Sequence, residues 1–157
     1  MISCKFENGN EASLRHVTVG CIVVNAKKQI LLVKRAKHLS NANKYTIPGG
    51  FLDRGEDLTQ GALRELKEES GLVGEKIFLF GINGNPNRPK EDRQNVDFIF
   101  IVEEFSGEFT DNDEVSEIRW FDRDTLPSDE EFAFDHRESI MKYLQYLQEP
   151  FAIPFLK

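Results

Sequence analysis

Cysteine is scarce, with only Cys4 and Cys21 in 157 residues. That excludes a disulfide-stapled scaffold, and their spacing is no metal motif. A reducing compartment is expected. Long apolar runs are missing too: no segment approaches the about 20 residues that span a bilayer. Lys5, Glu7, Glu11 and Arg15 interrupt the start of the chain where a signal peptide would be apolar. We expect a cytoplasmic protein. An excess of basic residues is also absent, with 20 Lys plus Arg against 27 Asp plus Glu and a net charge of −7. This argues against a nucleic-acid polymer or an anionic membrane as the main partner. A small phosphorylated ligand stays allowed, because bound cations reverse the field inside a site. With no repeat, linker or low-complexity segment, a single domain over 1–157 is expected, as monomer or homodimer.

What the chain does have is concentrated between Gly49 and Leu72. Pro48, Gly49, Gly50 and Gly55 mark a loop whose backbone can approach a ligand closely. From Asp57 to Ser70 strong helix formers dominate, and Gly71 suits the left-handed residue that ends a helix. Leu58, Ala62, Leu66 and Leu63 form its apolar stripe. Glu65, Glu68 and Glu69 then fall within an arc of roughly 100°. Such a cluster is either a solvated acidic face, partnered by Arg64 and Lys67, or a set of hard oxygen ligands for Mg²⁺ or Mn²⁺. The glycine loop ahead of it favours the second.

Around this segment the chain alternates strands and loops. His16 to Val24 and Gln29 to Lys34 read as two β-strands, with Asn25 to Lys28 short enough for a hairpin. Cys21 reads as a small core residue. Arg35, where the second apolar run ends, is either a solvated edge or a phosphate-steering group. Lys76 to Ile82 is a further strand, and Val96 to Glu103, apolar almost throughout, is expected at the centre of a sheet. Glu104 to Thr110 looks like a turn into a weaker strand, and Glu117 to Phe121 like another strand. Asp135 to Gln148 reads as a helix with Ile140, Tyr143, Leu144 and Leu147 on its apolar face, and His136 in its first turn reads as a helix-surface or packing histidine ahead of a catalytic one. The loop from Asn83 to Arg93 is long and rich in breakers, which suits substrate selection. Its Arg88 and Arg93 are candidates for holding a phosphate or stacking on a base. The Phe- and Pro-rich tail after Glu149 packs either on the domain or across a dimer interface.

Gly50, Glu56, Arg64-Glu65-Leu66, Glu68-Glu69 and Gly71-Leu72, with the gaps they have here, resemble the signature of the Nudix hydrolases at every defined position. That resemblance implies an α/β (α+β) fold, an αβα sandwich around a mixed β-sheet. It also implies metal-dependent cleavage of a pyrophosphate joining a nucleoside diphosphate to another group. By resemblance, the Gly49 carbonyl, Glu65, Glu68 and Glu69 ligate Mg²⁺ or Mn²⁺. Arg64 orients the carboxylates, Glu56 holds the loop to the helix, and Gly50 and Gly71 are structural. The general base is Glu65 or a downstream glutamate, for which Glu114 matches best and Glu117 second. No Ser or Cys has a base at a suggestive spacing, so no covalent intermediate is expected. Arg35, Phe51, Arg88 and Arg93 are the substrate-binding candidates. Asn85-Pro86-Asn87-Arg88 resembles a loop of relatives acting on ADP-ribose and other nucleotide sugars. Nucleoside triphosphates and dinucleoside polyphosphates are the alternative substrates, and a non-catalytic nucleotide sensor is the alternative of another class.

Overall fold

A computed structural model describes residues 2–88 and 94–157; Arg93 lies outside the described residues. Their order is β1 (Ile2–Lys5), β2 (Glu11–Leu14), β3 (Val17–Val23), β4 (Ile30–Arg35), β5 (Tyr45–Thr46), β6 (Gly49–Phe51), α1 (Leu58–Ser70), β7 (Val73–Asn83), β8 (Val96–Ser106), β9 (Val115–Phe121), α2 (His136–Gln148) and β10 (Phe155–Leu156). Strands β10-β7-β8-β3-β6 form a mixed sheet, β5-β4-β9 an antiparallel one, and β1-β2 a separate hairpin. Parallel β3 on one side and antiparallel β7 on the other make β8 central, as its apolar run predicts.

Alternation along the strands sends side chains to two cores. Val19, Cys21, Val23 and Leu31 pack with Ala62 and Leu66 of α1. Ile22, Val24, Ile30 and Leu32 pack with Ile140 and Tyr143 of α2 on the other face. This period-two division gives the helix–sheet–helix layering. Among the described residues, no helix is long and apolar enough to cross a membrane.

Three expectations need correction. Asn25–Lys28 does close a turn, with the Asn25 N–H donated to the Gln29 carbonyl at 3.1 Å and Val24 bridged to Ile30. The strands then part into different sheets, because β3 is flanked by β8 and β6 while β4 pairs with β5 and β9. No strand follows β8 between residues 107 and 114: β8 runs on to Ser106, and Gly107, at φ +92°, turns the chain away. Leu147 is exposed, and Tyr146 turns toward the core instead, against Phe80 and Phe151. The β1-β2 hairpin was not foreseen in a polar segment. The tail packs on its own chain, where β10 lies parallel to β7 and the Phe155 ring fills the space a side chain at Gly81 would need.

Candidate active site

The acidic helix is held at both ends. At its start the Asp57 carboxylate accepts from the Gln60 N–H at 2.8 Å while the Gln60 side chain accepts from the Asp57 N–H at 2.9 Å. At its end Gly71 takes the left-handed conformation, φ +82°, and donates its N–H to the Lys67 carbonyl. Ala62 and Leu66 are buried, Leu58 and Leu63 half-buried, and the carboxylates of the next face point toward β6.

Close contact between β6 and its surroundings explains two of the box glycines. A β-carbon on Gly49 would stand 2.3 Å from the Val19 carbonyl oxygen, and one on Gly50 would stand 2.4 Å from Glu65 Oε1. The absence of a side chain at Gly50 therefore makes room for a carboxylate. Gly49 donates its N–H to Glu69 Oε2 at 2.9 Å.

Arg64 organises the rest. Its Nε donates to Glu56 Oε1 at 2.6 Å and its Nη2 to Glu56 Oε2 at 3.1 Å and to the Phe51 carbonyl at 2.9 Å. Its Nη1 donates to Glu65 Oε1 at 2.8 Å and to Glu68 Oε2 at 2.9 Å. Glu56 also accepts the Asp53 N–H, at 3.1 Å, so it ties loop to helix. The bond from Arg64 is the main cause of a Glu56 carboxyl held below its ordinary range.

Glu65 and Glu69 behave differently from Glu56. Burial raises the Glu65 carboxyl, Arg64 opposes that, and the charges of Glu68 and Glu114 add to it. Glu69 is 5% exposed, and burial is the main cause of its rise to about 8. The Gly49 N–H and Arg35 resist the rise, and Glu65 and Glu114 reinforce it. Buried carboxylates that oppose one another's ionisation are a setting in which a bound cation has most to offset.

These groups line one cavity of about 840 Å³, a size that suits a nucleotide-like ligand. Gly49, Gly50, Phe51, Arg64, Glu65, Glu68, Glu69 and Glu114 all contribute to its wall. Glu117 is absent from it: its carboxylate accepts from the Tyr45 hydroxyl at 3.2 Å and pairs with Lys34 at 3.7 Å. Among the described residues, no three acidic, histidine or cysteine side chains converge into a ready metal cluster. Arg64 and the Gly49 N–H hold the glutamates spread along the wall. The hard oxygen donors and the space at Gly50 still fit a divalent cation.

Arg35 and Arg88 also reach the cavity. Arg35 donates to the Ser40 carbonyl at 2.7 Å and lies over the Phe134 ring. Arg88 is buried rather than displayed on a loop: its Nη2 is 2.6 Å from Asp135 Oδ1 and 3.6 Å from Asp97 Oδ2. Asp135 also accepts from Asn83 at 2.6 Å. Sequence reasoning gave no role to this network, because Asp97 and Asp135 come from distant segments with nothing local to mark them. His136 lines the cavity as well, with its Nδ1 against the Thr46 hydroxyl. Its position beside Asp135, at a helix start, was the available signal.

A clustered set of helical carboxylates behind a glycine-tight strand, on the wall of an αβα sandwich, defines a hydrolase built to handle phosphate groups. The comparisons make this specific. A family model described as the NUDIX domain matches residues 14–143, and the chain belongs to the Nudix family. An ADP-ribose pyrophosphatase of Methanocaldococcus jannaschii is 32% identical over 124 residues, 79% of this chain and 70% of that protein. The NAD-capped RNA hydrolase NudC of Vibrio vulnificus is 34% identical over 110 residues, 68% of this chain but 40% of that protein. Among solved structures, the MutT NUDIX hydrolase from Burkholderia pseudomallei superposes with a TM-score of 0.69 at 25% identity, covering 82% of this chain and 98% of that one. The NUDIX domain of Shewanella oneidensis NrtR, solved with ADP ribose, shares the fold with a TM-score of 0.70 at 24% identity over 87% of this chain and 90% of that one.

Proposed function

We propose that the chain hydrolyses ADP-ribose or a related nucleotide sugar at its diphosphate, using Mg²⁺ or Mn²⁺. The observation that carries this reading is the half-buried Glu65 and buried Glu69 on the wall of a nucleotide-sized cavity, both raised by burial, with the charge of Glu114 adding to each. The pyrophosphatase name of the Methanocaldococcus relative supports the substrate class.

Glu65, Glu68 and Glu69 would hold the cation, with Gly49 beside them. When bound, it would neutralise non-bridging phosphate oxygens and acidify a water. Arg64 keeps Glu65 and Glu68 in fixed rotamers through one nitrogen, so the ligands are oriented before substrate arrives. Glu69 is oriented by the Gly49 N–H. Glu114, which lines the same cavity, would accept a proton from the attacking water, with Glu65 as the other candidate. Asn112 Oδ1 accepts the Glu114 N–H at 3.0 Å, and the Glu114 carbonyl accepts the Ala36 N–H at 2.8 Å, so its backbone is anchored on both sides. Arg35, on the wall of the same cavity, would meet the diphosphate.

A reading as a NAD-cap hydrolase draws on the NudC relatives. The chain spans about 40% of their length, and its net charge of −7 provides little general attraction for RNA. The test is a panel of ADP-ribose, another nucleotide sugar, a nucleoside triphosphate, a dinucleoside polyphosphate and NAD-capped RNA, followed by product chromatography. ADP-ribose should have the highest kcat/KM and yield AMP plus ribose 5-phosphate. A higher kcat/KM for the triphosphate or the capped RNA would overturn the substrate assignment, and binding without turnover of any member would make the chain a sensor.

A further inference from the structure

Phe134 breaks the pattern of its neighbours. Phe132 and Ala133 before it and Asp135 after it are all buried, whereas Phe134 is only half-buried and lines the cavity. Its backbone is left-handed, φ +53°, a conformation in which the β-carbon of a bulky residue crowds the following carbonyl. The chain is fixed on both sides of it. The Ala133 N–H donates to the Tyr45 carbonyl at 2.8 Å, and the Asp135 carbonyl accepts the Glu138 N–H at 3.0 Å. The outcome of this unfavourable backbone is to turn one aromatic ring out of the core and into the site.

That ring has company suited to a flat ligand. The Arg35 guanidinium lies 5.4 Å from its centroid, and the His136 imidazole lies 5.3 Å away at an interplanar angle of 52°. Arg35 is also the cation whose charge acts on Glu69. Arg35, Glu69 and Phe134 line the same cavity, and with Arg35 5.4 Å from the ring a diphosphate beside Arg35 would leave its nucleoside within reach of Phe134. We infer that Phe134 is the stacking platform for the nucleobase, and that with Arg35 it makes the enzyme select the nucleotide half of its substrate. This rests on the proposed cleavage of nucleoside diphosphate derivatives and assigns that site its base-binding residue. Phe51, the aromatic singled out in the sequence, is 40% exposed and leans on His16, at 5.2 Å, and is the competing platform.

The two expected products separate the halves of the substrate, because AMP carries a base and ribose 5-phosphate does not. Calorimetric titration of each into wild type, Phe134→Leu, Phe134→Tyr and Phe51→Leu, with Mg²⁺ present, tests the assignment. Phe134→Leu should weaken AMP about tenfold, as expected for loss of one base–aromatic stack, and leave ribose 5-phosphate unchanged. Phe134→Tyr should bind AMP as wild type does. Should leucine not fold at this φ, Phe134→Gly suits the backbone, lacks the ring and should show the same loss. Unchanged AMP affinity in Phe134→Leu, equal losses for both ligands, or a loss carried by Phe51→Leu instead would overturn the assignment. Hydrolysis of ADP-ribose by an enzyme whose AMP affinity ignores Phe134 would refute the stacking role alone. Phe134-dependent AMP binding without any hydrolysis would refute the catalytic reading alone.

Discussion

Glu69 holds the most unusual chemical position of any side chain in the site: a carboxyl almost wholly buried, facing Glu65 and Glu114, and kept in place by one backbone N–H. Glu69→Gln preserves shape and the acceptor for Gly49 while removing the charge. Its melting temperature should equal or exceed that of wild type, and its kcat should fall by about a hundredfold or more, as for loss of a metal ligand or its support. Unfolding of this variant, or near-normal turnover, would show that Glu69 is a packing residue. His136 gives a second prediction at this scale. Burial is the main cause that lowers its pKa from 6.5, reinforced by Arg88 and Arg35 and resisted by Asp97 and Asp135. Above that value it is neutral in both the folded and unfolded chain. As pH falls below it the unfolded chain takes up the proton first, so folding stability declines. Urea midpoints at about pH 7.5 and 5.5 should therefore fall more for wild type than for His136→Gln. Equal falls would mean that burial of this imidazole has no such effect.

At the scale of elements, Arg88, which also lines the cavity, is a clasp. From the loop after β7 it reaches Asp135, just before α2, and Asp97, at the start of β8. Burial alone would push the Asp135 carboxyl up, yet the hydrogen bonds and charge of Arg88 hold it below its usual value. Arg88→Ala removes the 2.6 Å cation contact of buried Asp135, which keeps only the longer pair with Lys157 at 3.4 Å, and a contact of buried Asp97, which should cost about 3–5 kcal/mol of unfolding free energy. A loss below about 1 kcal/mol by denaturant titration would mean the pair is no clasp. How much of this was legible follows from the range of the interactions. The acidic helix, its Gly71 stop and the central β8 were readable because local spacing and composition determine them. The Gly50–Glu65 contact was not readable, since the family resemblance marked Gly50 only as structural. The Arg88–Asp135–Asp97 network and the separation of β3 from β4 were not readable, since each depends on which distant strand occupies a neighbouring place. Phe134 was invisible for a different reason: only coordinates show that its backbone is left-handed.

For the whole molecule, two cores on opposite faces of the sheets hold α1 and α2 in place, and the site opens between the edge strand β6 and the start of α2. Both walls are thus fixed by packing independent of any ligand, which suits a site whose carboxylates must stay in place until a cation arrives. With an acidic total charge, attraction for an anionic substrate would have to be local, from Arg35 and a bound cation, rather than global. The central claim is that these glutamates hold a divalent cation for hydrolysis of a nucleotide diphosphate. It is tested most directly by following AMP release from ADP-ribose in excess EDTA and then with Mg²⁺ or Mn²⁺ added back, for wild type and Glu69→Gln. The account predicts no release in EDTA, recovery with either ion in wild type, and no comparable recovery in the variant. Undiminished release in EDTA, or full recovery by Glu69→Gln, would contradict it.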